Sequence, residues 1–181
     1  MNLPNKITLA RVLLIPVFMI VLFSDFPHSS YIAALIFTIA SATDGLDGYI
    51  ARSRNQVTTF GKFVDPLADK LLVSTALISM VQLGKVPAWI VVIIIAREFT
   101  ITGFRIIAAS EGITIAASPL GKIKTITQLI AIIALLINNY PFRLINFPFD
   151  RVMLYLALIF TVISGIDYMY RNKQVLKTSE K

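Results

Sequence analysis

The chain has 181 residues, of which 56% are hydrophobic and 15% are charged, and its formal net charge is +7 at pH 7. A soluble domain carries about 25% charged residues, so most of the surface of this protein must face something other than water. Cysteine is absent, which excludes disulfide bonds and thiolate metal sites.

Six apolar runs follow one another along the chain. They are Val12–Phe23, Tyr31–Ala42, Leu71–Val81, Val86–Ala96, Ile126–Ile137 and Met153–Ile166. With small and weakly polar neighbours each extends to about 20 residues, enough to cross the hydrocarbon of a bilayer. The runs predict an all-α polytopic membrane protein with six transmembrane helices in a single domain over residues 1–181. No small-residue cleavage pattern follows the first run, which is interpreted as a retained helix.

The basic residues are distributed unevenly between the two sides of this predicted bundle. Thirteen fall on the side of the N-terminus: Lys6, Arg11, Arg52, Arg54, Lys62, Lys70, Arg105, Lys122, Lys124, Arg171, Lys173, Lys177 and Lys181. The opposite side holds Lys85, Arg143 and Arg151, and Arg97 is assigned to the membrane interior. Cytoplasmic loops carry the excess of Lys and Arg, so both termini are predicted to be cytoplasmic. The aromatic residues near the predicted membrane surfaces are expected to form a belt; they are Tyr31, Trp89, Tyr140, Tyr168 and Tyr170.

Four of the ten acidic residues fall in one short window, at Asp44, Asp47, Asp65 and Asp69. The first two are three apart and the last two are four apart, so each pair occupies one face of a helix. A short basic loop joins the two helices, and the pairs can face each other near the cytoplasmic end. An ionised aspartate facing lipid costs about 2.5–3.5 kcal/mol. The four residues therefore predict a polar cavity.

Four carboxylates in one cavity repel each other and need a counter-charge. Because Cys is absent and the single His28 lies on the far side, the ligands must be oxygens, which favours Mg²⁺ or Mn²⁺ over Zn²⁺. Such a cluster can hold two metals about 3.5–4 Å apart, an arrangement used in phosphoryl displacement. A calcium-binding EF-hand loop starting at Asp44 is excluded, because Asn55 stands where the loop needs a Glu.

Small residues accompany the aspartates. Gly48 and Ala51 lie on the same helix side as the acidic pair, and Gly45 and Gly61 are nearby in sequence. They favour a slot for a nucleotide or pyrophosphate, with Arg52 available to pair with a phosphate. Tight packing between helices is the alternative explanation for small residues in a membrane protein. Their place within the acidic cluster favours the functional interpretation.

The window from residue 44 to residue 69 follows the pattern D-x2-D-G-x2-A-R-x8-G-x3-D-x3-D at every fixed position. This pattern resembles the signature of the CDP-alcohol phosphatidyltransferases. Segments Asn2–Arg11, Arg97–Arg105 and Gly121–Gln128 are similar to the phosphatidylglycerophosphate synthase branch of that family. The resemblance implies six transmembrane helices, a homodimer, and transfer of the phosphatidyl group of CDP-diacylglycerol to glycerol 3-phosphate, with release of CMP. No nucleic-acid partner is expected.

The resemblance also implies roles for individual residues. Asp44, Asp47 and Asp65 would be metal ligands, and Asp69 would deprotonate the acceptor hydroxyl and could also touch a metal. The residues implied to frame the cytidine and its phosphates are Gly48, Ala51, Arg52, Gly61 and Thr8.

The phosphate of the acceptor needs cations that the donor site does not use. The candidates are Lys122, Lys124, Arg105 and Arg97. A lysine at a cytoplasmic helix end is also explained by topology alone, and Arg97 could instead form an internal ion pair with Glu98. Lys122 and Lys124 do not share a helix face, so the segment from Gly121 to Lys124 is either a loop or a helix start.

Two other functions are consistent with parts of the sequence. A member of the same family could use another acceptor, such as inositol phosphate, serine or phosphatidylglycerol. A cation transporter could use the aspartates as an ion pathway, but such a pathway would not need the glycines and Arg52 of a nucleotide slot.

Overall fold

The structure, a computed structural model, describes residues 3–53, 59–110, 112–113, 115–116 and 118–173, and it excludes the side chains of residues 3–5, 44–53 and 59–66. Within these ranges the chain forms six α-helices and no β-strand. The helices are α1 (Leu3–Leu22), α2 (Ser29–Ser53), α3 (Thr59–Gln82), α4 (Ala88–Ser110), α5 (Pro119–Leu136) and α6 (Phe149–Arg171). A short 3₁₀ helix, Phe142–Ile145, precedes α6. The predicted all-α fold with six helices is confirmed.

Most helices extend well beyond the apolar runs that predict them. The helix α3 begins at Thr59, before its run, and α4 continues to Ser110, after its run. The additional turns lie at the N-termini of α1, α3 and α5 and at the C-termini of α2 and α4. Because consecutive helices with short connections run in opposite directions, these additional turns lie at the same end of the bundle. They carry the polar residues of the predicted site.

A buried hydrophobic cluster holds the apolar halves of the helices together. It includes Phe18 of α1, Phe37 of α2, Leu72 of α3, Ile94 of α4 and Ile132 of α5. The rings of Phe18 and Phe37 are 6.1 Å apart between centroids. All buried members of the cluster lie within the six predicted apolar runs, so the runs mark the packed core.

The outward faces of the helices are also apolar. Large exposed side chains include Leu13, Ile20, Val92 and Ile166. Extensive exposed apolar surface is typical of contact with a membrane or with another protein. Among the helices in the described ranges, α5 and α6 are long and apolar enough to cross a bilayer by length and composition.

A second buried cluster joins the polar halves of α4 and α6. It contains Ile101, Phe104, Ala108 and Tyr168. The ring of Tyr168 packs edge-on against Phe104, with 6.1 Å between centroids. Tyr168 is buried, whereas Tyr170 is exposed. The prediction that Tyr168 lies in a surface aromatic belt is therefore wrong, because its side of α6 packs against α4.

At the opposite end of the bundle, Lys85 joins the α3–α4 connection to the end of α5. Its Nζ donates to the carbonyl oxygen of Leu135 at 3.0 Å and to Oδ1 of Asn138 at 2.7 Å. Burial lowers the pKa of Lys85, and the charge of Asp150 acts in the opposite direction. This contact ties the α3–α4 connection to the C-terminus of α5.

Candidate active site

A cavity of about 490 Å³ opens between α3, α4 and α5, with Tyr168 of α6 at its wall. This volume is within the range of pockets that bind small molecules. The apolar floor of the cavity includes Leu77 and Ile94, which are members of the buried cluster. The charged side chains in the described lining are Asp69, Lys70, Arg97, Glu98, Arg105, Lys122 and Lys124. Most of the charge in the described bundle interior is therefore concentrated here.

Positive charge predominates in the described lining of this cavity. Five of the lining side chains are cationic and two are carboxylates, a formal net charge of +3. A cleft lined mainly by one sign of charge attracts ligands of the opposite sign. The electrostatics therefore favour an anionic ligand.

The N-terminus of α5 lies at the cavity. Ser118 caps the helix by accepting a hydrogen bond from the backbone N–H of Gly121 at 3.1 Å, and Pro119 occupies the first turn. The segment from Gly121 to Lys124 is therefore a helix start rather than a loop. The positive end of the helix dipole adds to the charge of the nearby lysines and favours an anion at this place.

The two lysines of α5 occupy different environments, as their spacing predicts. Lys122 is exposed, whereas Lys124 is 2% exposed and forms an ion pair with Glu98 of α4. Glu98 is only partly buried, and its carboxylate faces the same cavity. The ion pair joins the two helices across the cavity.

The two arginines of α4 are both held by α6. Nη2 of Arg97 donates to Oγ of Ser164 at 3.0 Å, and Nε of Arg105 donates to the hydroxyl of Tyr168 at 2.9 Å. The alternative that Arg97 pairs with Glu98 is wrong, because Glu98 pairs with Lys124 on another side of α4. Arg97 is half-buried and Arg105 is exposed, so they stand at different depths of the cavity.

The structure gathers five of the predicted site residues in one place. Asp69, Arg97, Arg105, Lys122 and Lys124 all line the cavity, and Asp69 is half-buried there. Asp69 shares α3 with Asp65, and Asp44 and Asp47 lie within α2, which packs on α3.

Most of the other predicted site residues lie in the part of the chain whose side chains the structure does not describe. The side chains of Asp44, Asp47, Gly48, Ala51, Arg52, Gly61 and Asp65 lie outside the described residues. Thr8 is buried in α1 and does not contribute to the described lining of the cavity.

Sequence reasoning missed several contributors to the cavity. Gln128 is buried at the lining, and its Oε1 has no hydrogen-bond partner among the described residues. Its position four residues after Lys124, on the same helix face, is a signal that could have found it. Ser164 and Tyr168 contact the arginines from α6, and no spacing in the sequence links those residues to α4.

The sequence is similar to those of several known proteins. The sequence model of the CDP-alcohol phosphatidyltransferase family matches residues 1–163. A CDP-diacylglycerol–glycerol-3-phosphate 3-phosphatidyltransferase from Bacillus subtilis is 53% identical, with 98% of each chain covered. A protein of the same name from Rickettsia bellii is 38% identical, with 96% of each chain covered. A probable phosphatidylglycerophosphate synthase from Mycobacterium tuberculosis is 40% identical over 94% of this chain and 81% of the relative.

The chain belongs to the CDP-alcohol phosphatidyltransferase family. The resemblance that the aspartate pattern carries is confirmed, and so is the similarity to the phosphatidylglycerophosphate synthase branch.

The ion pair of Lys124 and Glu98 predicts a specific loss of stability. The substitution Glu98→Gln leaves the buried Lys124 without its partner and should lower the free energy of unfolding by about 2–3 kcal/mol. Asp167→Asn breaks the pair with Arg171, which is 68% exposed, and should cost less than about 1 kcal/mol. Thermal unfolding of both variants in detergent measures the difference. Equal losses would show that the cavity ion pair has no special structural role.

Proposed function

We propose that this protein transfers the phosphatidyl group from CDP-diacylglycerol to glycerol 3-phosphate, giving phosphatidylglycerophosphate and CMP. The observation that carries this proposal is that Asp69 shares one cavity with Arg97, Arg105, Lys122 and Lys124. A carboxylate that can accept a proton thus lies in the same space as cations that can bind a phosphate. The names of the relatives describe the same reaction.

The cationic side of the cavity suits the phosphate of the acceptor. Arginine binds phosphate through two parallel N–H groups, and lysine contributes a compact positive charge. The N-terminus of α5 also lies at the cavity, where the positive end of the helix dipole favours an anion. Oε1 of Gln128 has no partner in the described part of the chain and can accept a hydrogen bond from a glycerol hydroxyl. Together these groups would orient the acceptor with one of its two free hydroxyls toward Asp69.

The acidic side suits a donor bound through divalent cations, Mg²⁺ or Mn²⁺. Asp44, Asp47, Asp65 and Asp69 provide only oxygen donors, which is the ligand type these ions prefer. The packing of α2 on α3 and the half-buried position of Asp69 at the cavity support this assignment. A pair of bound cations would supply positive charge beside the pyrophosphate. Gly48, Ala51, Arg52 and Gly61, with Thr8, would frame the nucleotide.

The reaction follows from this arrangement. Asp69 takes the proton from one of the two free hydroxyls of glycerol 3-phosphate, and the oxygen of that hydroxyl attacks the phosphorus of the phosphatidyl group. A bond forms between that oxygen and the phosphorus, and the bond to the bridging oxygen of the pyrophosphate breaks. CMP leaves with the bridging oxygen. Lys124 and the two arginines hold the acceptor phosphate in place and so keep the hydroxyl near its target.

The assignment of Asp69 predicts a loss of turnover without a loss of folding. Asp69→Asn removes the proton acceptor and should reduce CMP release by at least about 100-fold. Asp25→Asn, in the exposed connection before α2, should leave the rate unchanged. Chelation of divalent cations should also stop CMP release by the unmodified protein, and Mg²⁺ or Mn²⁺ should restore it. Normal turnover of folded Asp69→Asn would refute the base assignment.

A panel of acceptors tests the substrate. Purified protein is given CDP-diacylglycerol with glycerol 3-phosphate, inositol phosphate, serine or phosphatidylglycerol, and CMP release is measured. Glycerol 3-phosphate should give the highest kcat/KM, because its phosphate can bind the cations of the cavity and the names of the relatives describe this acceptor. Serine lacks a phosphate and should react slowest. Equal or faster turnover with another acceptor would overturn the choice of glycerol 3-phosphate and leave the family reaction in place.

We also propose that all six helices cross the cell membrane, with both termini and the cavity on the cytoplasmic side. The absence of native cysteine permits a direct test with single cysteines at two exposed positions. Asp25→Cys should react with a membrane-impermeant maleimide in intact cells, and Lys173→Cys should react only after permeabilisation. The reverse pattern would overturn the orientation. Light scattering in detergent should give the mass of a homodimer.

A further inference from the structure

One buried face of α6 runs alongside the two arginines of α4. Thr161, Ser164, Gly165 and Tyr168 follow the i, i+3, i+4, i+7 spacing of one helix face. Each of them is buried, and α6 packs on α4. Of these four residues only Tyr168 reaches the described lining of the cavity. Ser164 and Gly165 lie instead against Arg97.

Ser164 is arranged to accept a hydrogen bond from Arg97. Its hydroxyl donates its own proton to the carbonyl oxygen of Thr161 at 3.2 Å, which leaves its lone pairs for Nη2 of Arg97 at 3.0 Å. Nε of Arg97 is buried and has no hydrogen-bond partner among the residues that the structure describes. The guanidinium is thus held on the side that faces α6.

Gly165 provides the space that the Arg97 side chain occupies. A Cβ at this position would lie 3.1 Å from Cγ and 3.7 Å from Nε of Arg97. The first distance is shorter than an ordinary van der Waals contact, so a larger residue would require the Arg97 side chain to shift by a few tenths of an ångström. Gly103 of α4 is different, because a Cβ there would meet nothing within 4 Å.

Tyr168 holds Arg105 in two ways. Its hydroxyl accepts the hydrogen bond from Nε at 2.9 Å, and its ring lies 5.3 Å from the Cζ atom of the guanidinium. The ring is itself fixed by the edge-on contact with Phe104. Arg105 is exposed, and a long exposed side chain otherwise samples many rotamers at a cost to binding. The nitrogens at the end of the guanidinium remain available to a ligand.

We infer that Ser164, Gly165 and Tyr168, which we name the α6 support, are positioning residues that set the binding of the acceptor phosphate through Arg97 and Arg105. Arg97 and Arg105 are about 12 Å apart along α4, whereas Ser164 and Tyr168 are about 6 Å apart along α6. The α6 support therefore draws the two side chains toward each other. This inference rests on the proposed function, since it assigns the arginines to the acceptor.

Gly165→Ala is the most selective test of the α6 support. The added methyl group should displace Arg97 and raise KM for glycerol 3-phosphate by roughly tenfold, with KM for CDP-diacylglycerol changed less than about twofold. Gly103→Ala is the matched control, because it makes the same chemical change in a helix where there is open space. It should leave both constants unchanged.

Tyr168→Phe is the second test and does not depend on the folding of the glycine variant. It keeps the packing against Phe104 and removes only the hydroxyl that accepts the hydrogen bond from Arg105. KM for glycerol 3-phosphate should therefore rise by about 3–10-fold. Tyr155→Phe, at an exposed position of the same helix, should have no effect. Thermal unfolding of each variant shows that the folded state is retained.

Arg97→Ala is the reference that separates failure of this inference from failure of the proposed function. If Arg97→Ala raises KM for glycerol 3-phosphate while Gly165→Ala and Tyr168→Phe leave it unchanged, the α6 support does not position the arginines. Equal losses for both substrates in the two α6 variants would likewise overturn the inference in favour of a general structural role. If the unmodified protein releases no CMP with glycerol 3-phosphate, the proposed function itself fails.

Discussion

The ion pair of Lys124 and Glu98 is the contact around which the polar end of this bundle is organised. α4 packs on α3 and α6, and α5 packs on α2, α3 and α6, but the described parts of α4 and α5 have little backbone contact with each other. The cavity occupies the space between them, and the ion pair crosses it. Apolar residues at the two positions would favour closer packing of the helices. The ion pair thus joins α4 and α5 while the cavity between them stays open.

The need to pair charges inside the bundle also explains why the helices extend beyond their apolar runs. A charged side chain inside an apolar bundle needs partners, and each partner must come from a neighbouring helix that extends to the same level. Glu98 of α4 meets Lys124 of α5, and Arg97 and Arg105 of α4 meet residues of α6. The extended polar halves of the helices supply these partners. The same side chains therefore hold the helices together at this end and line the cavity proposed to bind the acceptor.

Much of the fold follows from hydropathy alone. All buried members of the main cluster fall within the six apolar runs, because burial between helices and contact with lipid both select the same residue types. The polar halves do not follow from hydropathy. The segments around Thr59 and Ser110 are helical although they carry polar residues, since their partners come from other helices rather than from the local sequence.

The candidate site was predictable where residues of one type recur at helical spacing. The aspartate pattern led to the family, and Lys124, Arg97 and Arg105 were candidates because the phosphate of the expected acceptor needs cations. The choice of Lys124 rather than Arg97 as the partner of Glu98 could not be predicted, because it depends on how α4 is rotated against α5 and α6. The contacts of Ser164, Gly165 and Tyr168 could not be predicted either, because they depend on how α4 and α6 are rotated against each other.

The depth of the cavity has a consequence for the barrier that the protein presents to ions. From the exposed Arg105 at its mouth to Ile94 at its floor, the lining covers about 16 Å of α4, roughly half the thickness of the hydrocarbon layer. In a bilayer, water would fill this depth. The part of the bundle that would then separate the two sides of the membrane is the packed layer of Phe18, Phe37 and their neighbours, with the Lys85 contact at its far end. Dense packing there would limit proton and ion leakage through the protein, a requirement separate from catalysis.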